Sequence, residues 1–350
     1  MVRRVVFAVP GDLSIPTGGY AYDRRIIAGL RTLGWQADVL ELGDGFPFPS
    51  VAARASALSR LAALPADAPV VVDGLAFGAL PEAAMQLSAN HRLIALVHHP
   101  LALETGLPPS EAEAFRVSET RALAGARRVI ATSAFTARLL VADYAVPGGR
   151  VTVVRPGVDR AVRTRGSGRS PLALLSVGAV TPRKGYDVLL AALARLSDLP
   201  WRLTIIGDLG RDAAAAGRLA ADVQHFGLSG RVVVAGAVSA QVLGAHYAEA
   251  DIFVLASRFE GYGMAFAEAI AHGVPVVGTT AGAIPETAPG SAALLAPSDD
   301  SEAFAAAVRR LIEDPKERDR LAAGAWAAAA EIPNWAQPAE LFSQAIEAVK

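Results

Sequence analysis

Residues 251–278 read DIFVLASRFEGYGMAFAEAIAHGVPVVG. The run Asp251–Ala256 is apolar and of strand length. Gly261 and Gly263 follow in a turn, and Met264–Ala271 is an apolar, alanine-rich helical pattern closed by Gly273 and Pro275. Val274–Val277 is a second buried strand. The order strand, glycine-bearing turn, helix, strand puts the start of a helix directly after a strand. Such a helix start offers unpaired N–H groups and a partial positive charge to an anion. Glycines at 261 and 263 let a ligand approach the backbone closely.

Two carboxylates flank this point. Glu260 lies in the turn, and Glu268 lies about two helical turns further on. A carboxylate accepts hydrogen bonds only, so each suits a pair of sugar hydroxyls. An anion-binding helix end between two such groups fits a diphosphate with a sugar on each side. A plainer reading is that both acids only favour the positive end of a helix.

Ser257-x-x-Glu260-Gly261-x-Gly263, Glu268-Ala269 and Gly273-x-Pro275-Val276-Val277 resemble the Glu-x7-Glu signature of the family-4 retaining glycosyltransferases. The resemblance implies a GT-B fold, two doubly wound Rossmann-like α/β domains facing each other across a cleft. It implies that Glu260 contacts the donor sugar and that Glu268 holds the ribose hydroxyls. The backbone of Gly261, Tyr262, Gly263 and Met264 would contact donor sugar and phosphate. No protein nucleophile is assigned to Glu260.

Upstream, strand-like runs at Arg4–Val9, Ala37–Leu42, Val70–Val72, Leu93–His98, Arg128–Ala131 and Val151–Val154 alternate with helical patterns. Those helices fall at Tyr20–Leu33, Val51–Leu64, Glu111–Gly125 and Ala134–Tyr144. Alternation of this kind predicts a parallel sheet covered on both faces, with ligands at the carboxyl ends of its strands. Gly18 and Gly19 lie in the loop 12–19 after the first strand, an unspecific phosphate-loop signal. By resemblance this Gly-Gly loop approaches the donor phosphates.

His98-His99-Pro100 ends a strand. Neighbouring residues on extended chain point to opposite sides, which disfavours a metal shared by the two histidines. The resemblance implies a histidine here close to the donor sugar; His98 is favoured and His99 is the other candidate.

The stretch 164–171 is rich in Arg, Gly and Ser and reads as a linker. The second half restarts with Leu172–Val177. Gly178 to Gly185, with Arg183 and Lys184 just before a helix at 186–195, resembles the family's phosphate-binding segment. A guanidinium grips phosphate oxygens in a fork, and an ammonium acts as a point charge. The next strands are Arg202–Ile206 and Arg231–Ala235; the loop at Gly236 to Val238 is implied to contact the base. The expected domains are 1–163 for the acceptor and 172–334 for the donor, with a terminal helix at 335–350 returning to the first. Catalytic roles are expected for His98, Glu260, Arg183 and Lys184. Loss of Lys184 is expected to lower turnover strongly with little effect on stability.

Composition bounds these readings. The 350 residues are 52% hydrophobic and 19% charged, which describes a globular chain. No uncharged apolar run reaches the roughly 18 residues that span a bilayer, and a cytoplasmic protein is expected. There is no cysteine, hence no disulfide or thiolate metal site. Lysine occurs at 184, 316 and 350 only, so Lys184 stands alone in the first 315 residues.

Residues 1–165 carry 18 basic and 14 acidic side chains, a balance of +4. This leaves room for an anionic acceptor or weak contact with the inner membrane face. No nucleic-acid partner is expected. The absence of Gly-x-Gly-x-x-Gly disfavours a nicotinamide enzyme. The absence of Asp-x-Asp carries no expectation of a phosphate-bound metal, and no cofactor is expected. The expected function is retaining glycosyl transfer from a nucleotide-diphospho-sugar to the hydroxyl of a glycan, lipid-linked sugar or small molecule. A sugar-nucleotide epimerase or a non-catalytic sugar-nucleotide binder is the alternative.

Overall fold

A computed structural model describes residues 3–15, 17–159, 161–164 and 166–349. Pro16, in the expected 12–19 loop, and Lys350, at the end of the expected terminal helix, lie outside the described residues. The chain forms two compact units, Met1–Gly157 with Pro333–Lys350, and Val158–Ile332.

The first unit begins β1 (Arg3–Val9), α1 (Gly18–Thr32), β2 (Trp35–Glu41), α2 (Val51–Ala62), β3 (Pro69–Asp73), α3 (Gly74–Phe77) and α4 (Pro81–Leu87). It continues with β4 (Arg92–Val97), α5 (Pro109–Ala124), β5 (Arg128–Ala131), α6 (Ala134–Asp143) and β6 (Val151–Val153). All strand pairs are parallel, in the order β2-β1-β3-β4-β5-β6. The central strands are buried along their length, which is why they read as unbroken apolar runs such as Val70–Val72.

The second unit runs β7 (Leu172–Val177), α7 (Tyr186–Ala194), β8 (Trp201–Ile206), α8 (Ala213–His225), β9 (Val232–Gly236), α9 (Ala240–Glu249) and β10 (Ile252–Val254). Then come α10 (Met264–Ala271), β11 (Val276–Thr279), α11 (Ile284–Thr287), β12 (Ala293–Ala296), α12 (Ser301–Glu313) and α13 (Pro315–Ala328). Its parallel sheet has the order β12-β11-β10-β7-β8-β9. The last helix, α14 (Ala336–Glu347), belongs to the first unit. There Phe342 stacks on Phe7 at 5.6 Å, and Trp35 Nε1 donates to Ser343 Oγ at 2.9 Å. Gly29 permits the approach, because a Cβ there would lie 2.5 Å from that of Ala339.

Two sequence expectations change. Of the expected linker 164–171, Arg165 lies outside the described residues, and the described remainder is not free. Ser167 donates through its amide to Asp251 Oδ1 at 2.8 Å, and the amide of Thr164 donates to the His272 carbonyl at 2.8 Å. The stretch is stitched to the second unit because Asp251, at the foot of β10, is a buried carboxylate that needs donors. Gly18 and Gly19 are not loop residues but the first turn of α1, which Thr17 caps by accepting from the Tyr20 amide at 3.2 Å. No helix among the described residues is long and apolar enough to cross a membrane.

Candidate active site

In the second unit the strand order reverses between β7 and β10, each of which begins a run of neighbours in opposite directions. Ligands of open α/β sheets sit beyond the carboxyl ends of the strands at this kind of point. The loops after β7 and β10 meet there. The Arg258 amide donates to the Arg183 carbonyl at 2.8 Å, and Arg183 Nη1 donates to the Phe259 carbonyl at 3.0 Å. The Arg258 guanidinium donates to the Pro182 carbonyl at 2.7 Å and pairs with Asp187 at 2.7 Å.

Glu260 is the centre of this junction. Its carboxylate is nearly sealed and accepts from Lys184 Nζ at 2.6 Å, Ser257 Oγ at 2.7 Å and Arg183 Nη1 at 3.2 Å. Arg183 and Lys184, read from sequence as phosphate cations, thus also pair with the acid read as a sugar ligand. Burial by itself would raise the Glu260 carboxyl. The charges of Lys184 and Arg183 outweigh it, with hydrogen bonds from Lys184 and Ser257, and hold it at about 2. The group is therefore an acceptor throughout the neutral range.

A depressed carboxylate stabilises the fold above its unfolded value, and this contribution disappears as pH falls through the folded one. Acid titration from about pH 5 to 2 should thus remove up to roughly 3 kcal/mol of stability through Glu260. Denaturant melts at stepped pH check this. The Glu260→Gln variant should show a correspondingly flatter loss over the same interval.

The two helices that start at this junction differ from their neighbours. α8, α9, α12 and α13 are closed by Asp212, Ser239, Asp300 and Asp314, each accepting from an amide of the first turn. α7 and α10 start instead on Gly185 and Gly263, both at positive φ and with no side-chain cap. The Met264 and Ala265 amides find no acceptor among the described residues. First-turn amides left without a cap form an anion site.

The turn before α10 is tied to the segment that follows β11. The Ala283 amide donates to the Glu260 carbonyl at 2.9 Å, and Thr287 Oγ1 donates to the Tyr262 carbonyl at 2.5 Å. Gly178 gives the Lys184 stem room, since a Cβ there would lie 3.0 Å from Lys184 Cε. Glu268, half-buried on α10, accepts from the Tyr247 hydroxyl at 3.0 Å. Gly236 ends β9 at φ +72° with open space around it, and Val238 packs partly buried against the core.

In the first unit the corresponding reversal lies between β1 and β3. Asp73 ends β3, α1 follows β1, and His98 follows β4. His98 Nε2 lies 3.3 Å from Asp23 Oδ1 and 3.6 Å from Asp73 Oδ2. Gly19 packs on the same ring: a Cβ there would be 3.3 Å from His98 Cδ2. His99 turns away and pairs with Glu104 at 3.1 Å. The structure therefore brings Gly19 and His98 together and leaves His99 out. Asp23 and Asp73 were not anticipated. The available signal for Asp23 was an acid on the face of α1 that otherwise buries Ile26, Ile27 and Leu30.

Comparison with known proteins gives the family and the fold. The model described as Glycosyltransferase Family 4 matches residues 41–162, and that described as Glycosyl transferases group 1 matches residues 171–314. The chain belongs to the family-4, group-1 glycosyltransferases. A D-inositol 3-phosphate glycosyltransferase of Thermomonospora curvata is 32% identical over 233 residues, 60% of this chain and 54% of that protein. The chain thus spans about half the length of this curated relative.

Among solved structures, sucrose-phosphate synthase from Thermosynechococcus elongatus gives a TM-score of 0.81 at 20% identity, covering 99% of both chains. HepE from Anabaena, solved in complex with UDP-glucose, gives 0.79 at 18% identity over 98% of this chain and 99% of that one. At such identities these likenesses establish the GT-B fold.

Proposed function

We propose that this chain is a retaining glycosyltransferase that moves a sugar from a nucleotide-diphospho-sugar to an acceptor hydroxyl without a metal ion. The observation that carries the reading is the junction of the loops after β7 and β10. Two uncapped helix starts and two cations converge there on one buried carboxylate. In this reading the diphosphate binds the amides at the start of α10 together with Arg183 and Lys184. Glu260 accepts from donor-sugar hydroxyls, and Glu268 accepts from the ribose. Fixed positive groups stabilise the charge that builds on the leaving diphosphate, the role a metal plays elsewhere.

The test is a panel of nucleoside diphosphates and their sugars, read by thermal shift and then by product anomer. The expected result is stabilisation by one class of sugar nucleotide, with transfer or slow hydrolysis that retains configuration and persists in EDTA. A panel without any stabilising nucleotide would overturn the reading. An inverted product would overturn the retaining step, and loss of turnover in EDTA would overturn its metal independence.

A further inference from the structure

Asp23 is fully buried, and neither of its carboxylate oxygens accepts a hydrogen bond among the described residues. Native proteins leave few buried polar groups in that condition. His98 Nε2 is sealed as well and stands at ion-pair distance from Asp23, outside hydrogen-bond geometry. Asp73 is held on its other side, because its Oδ1 accepts the Leu75 amide at 2.7 Å while Oδ2 faces the ring. Tyr22 meets the imidazole edge-on at 5.4 Å, and its own hydroxyl donates to the Val154 carbonyl at 3.0 Å. The titratable groups facing the ring are thus Asp23 and Tyr22 from α1 and Asp73 from the end of β3.

An ionised carboxylate sealed from water needs a cation beside it. Among the described residues the group placed to supply one is His98. Burial alone would depress the imidazole, but the carboxylates of Asp23 and Asp73 beside it outweigh burial and raise the ring to about 10. Burial raises Asp23 in turn, and the ring offsets part of this, leaving it at about 6.

We propose that Asp23 is a positioning residue for His98: with Asp73 it fixes the imidazole and keeps both ring nitrogens protonated, leaving Nδ1 as a cationic donor toward a hydroxyl or anionic oxygen. The assignment of that oxygen to a donor sugar rests on the glycosyltransferase reading, whereas the protonation state of the ring does not. A divalent cation shared by Asp23, Asp73 and His98, whose donor atoms lie within 4.8 Å of one another, is the competing account. Three protein ligands leave a structural zinc site one short, and a catalytic one needs an open position.

The test is ring-nitrogen NMR on the full 15N-labelled chain, with His98→Gln identifying the signal among the six histidines. The expected result is a wild-type ring still doubly protonated at pH 8. Asp23→Asn should lower its titration by about 1–3 units. The same variant should cut turnover by on the order of tenfold at nearly constant KM, and Asp23→Glu should recover part of it. A neutral wild-type ring at pH 7 would overturn the proposal, and so would an Asp23→Asn ring that titrates as before. Ring signals that move with stoichiometric Zn2+ or Mn2+ and return with EDTA would replace it by the metal site. The wild-type titration decides the point even where a variant fails to fold. A doubly protonated ring in a chain that transfers no sugar would keep this inference and remove the function proposed above.

Discussion

Lys184→Ala is expected to lower turnover by on the order of 100-fold and stability by about 2–3 kcal/mol. The kinetic loss follows from removing a fixed positive charge where the leaving diphosphate gathers its own. Mutagenesis of single groups that stabilise transition-state charge sets the scale of about 3 kcal/mol. The stability loss follows from the ion pair. Lys184 Nζ sits 2.6 Å from a Glu260 carboxylate with only 8% of its side chain exposed. Truncating the lysine strands most of a buried charge, which costs several kcal/mol where no other partner exists.

Arg183 remains at 3.2 Å and moderates the loss. From sequence, with Lys184 read as a phosphate cation, little loss of stability is expected; its buried pair with Glu260 raises that expectation. The check is a double-mutant cycle with Glu260→Gln, using denaturant melts and sugar-nucleotide turnover. Combined with Glu260→Gln, the Lys184 change should destabilise less than alone, because the carboxylate it strands is gone. Additive losses would mean that the pair contributes nothing to the fold.

Gly185→Ala is expected to destabilise the second unit by more than about 3 kcal/mol and to abolish turnover. Gly185 has φ +64°, and a Cβ on it would lie 2.0 Å from the Ala256 carbonyl oxygen. That oxygen belongs to the loop leaving β10 and cannot swing aside like a side chain. Either the turn bearing Arg183 and Lys184 lifts away, or the loop bearing Ser257 and Glu260 does. In both cases the cations part from the carboxylate.

Gly236→Ala is the control. Gly236 also has positive φ, at +72°, but nothing lies within 4 Å of its missing Cβ. Only the left-handed strain applies there, about 1–2 kcal/mol. Thermal or denaturant melts of both variants separate strain from collision. Equal losses would show that the close approach of Gly185 to Ala256 is not a constraint.

The strands were legible because both faces of a parallel sheet are covered, so each strand is a short apolar run between polar loops. Leu172–Val177 and Arg128–Ala131 fall where hydrophobicity alone puts them, as does the helix Met264–Ala271. The helices α3 and α4, of four and seven residues, are too short to show a period. α8 begins with four alanines and reaches a glycine at 217, so its first turns carry no apolar stripe to read.

The site was legible in parts rather than as an arrangement. Glu260, Arg183 and Lys184 were each singled out, but their pairing depends on β10 lying beside β7. A contact across 76 residues is set by topology and not by any local pattern. The same holds for Asp23, Asp73 and His98, which three different elements bring together.

The measurement that tests the central claim most directly is a crystal structure of the chain soaked with a sugar nucleotide. The account predicts the pyrophosphate against the amides of residues 261–265, within reach of Arg183 and Lys184, with the ribose hydroxyls on Glu268. A pyrophosphate bound away from residues 261–265 and 183–184 would contradict it.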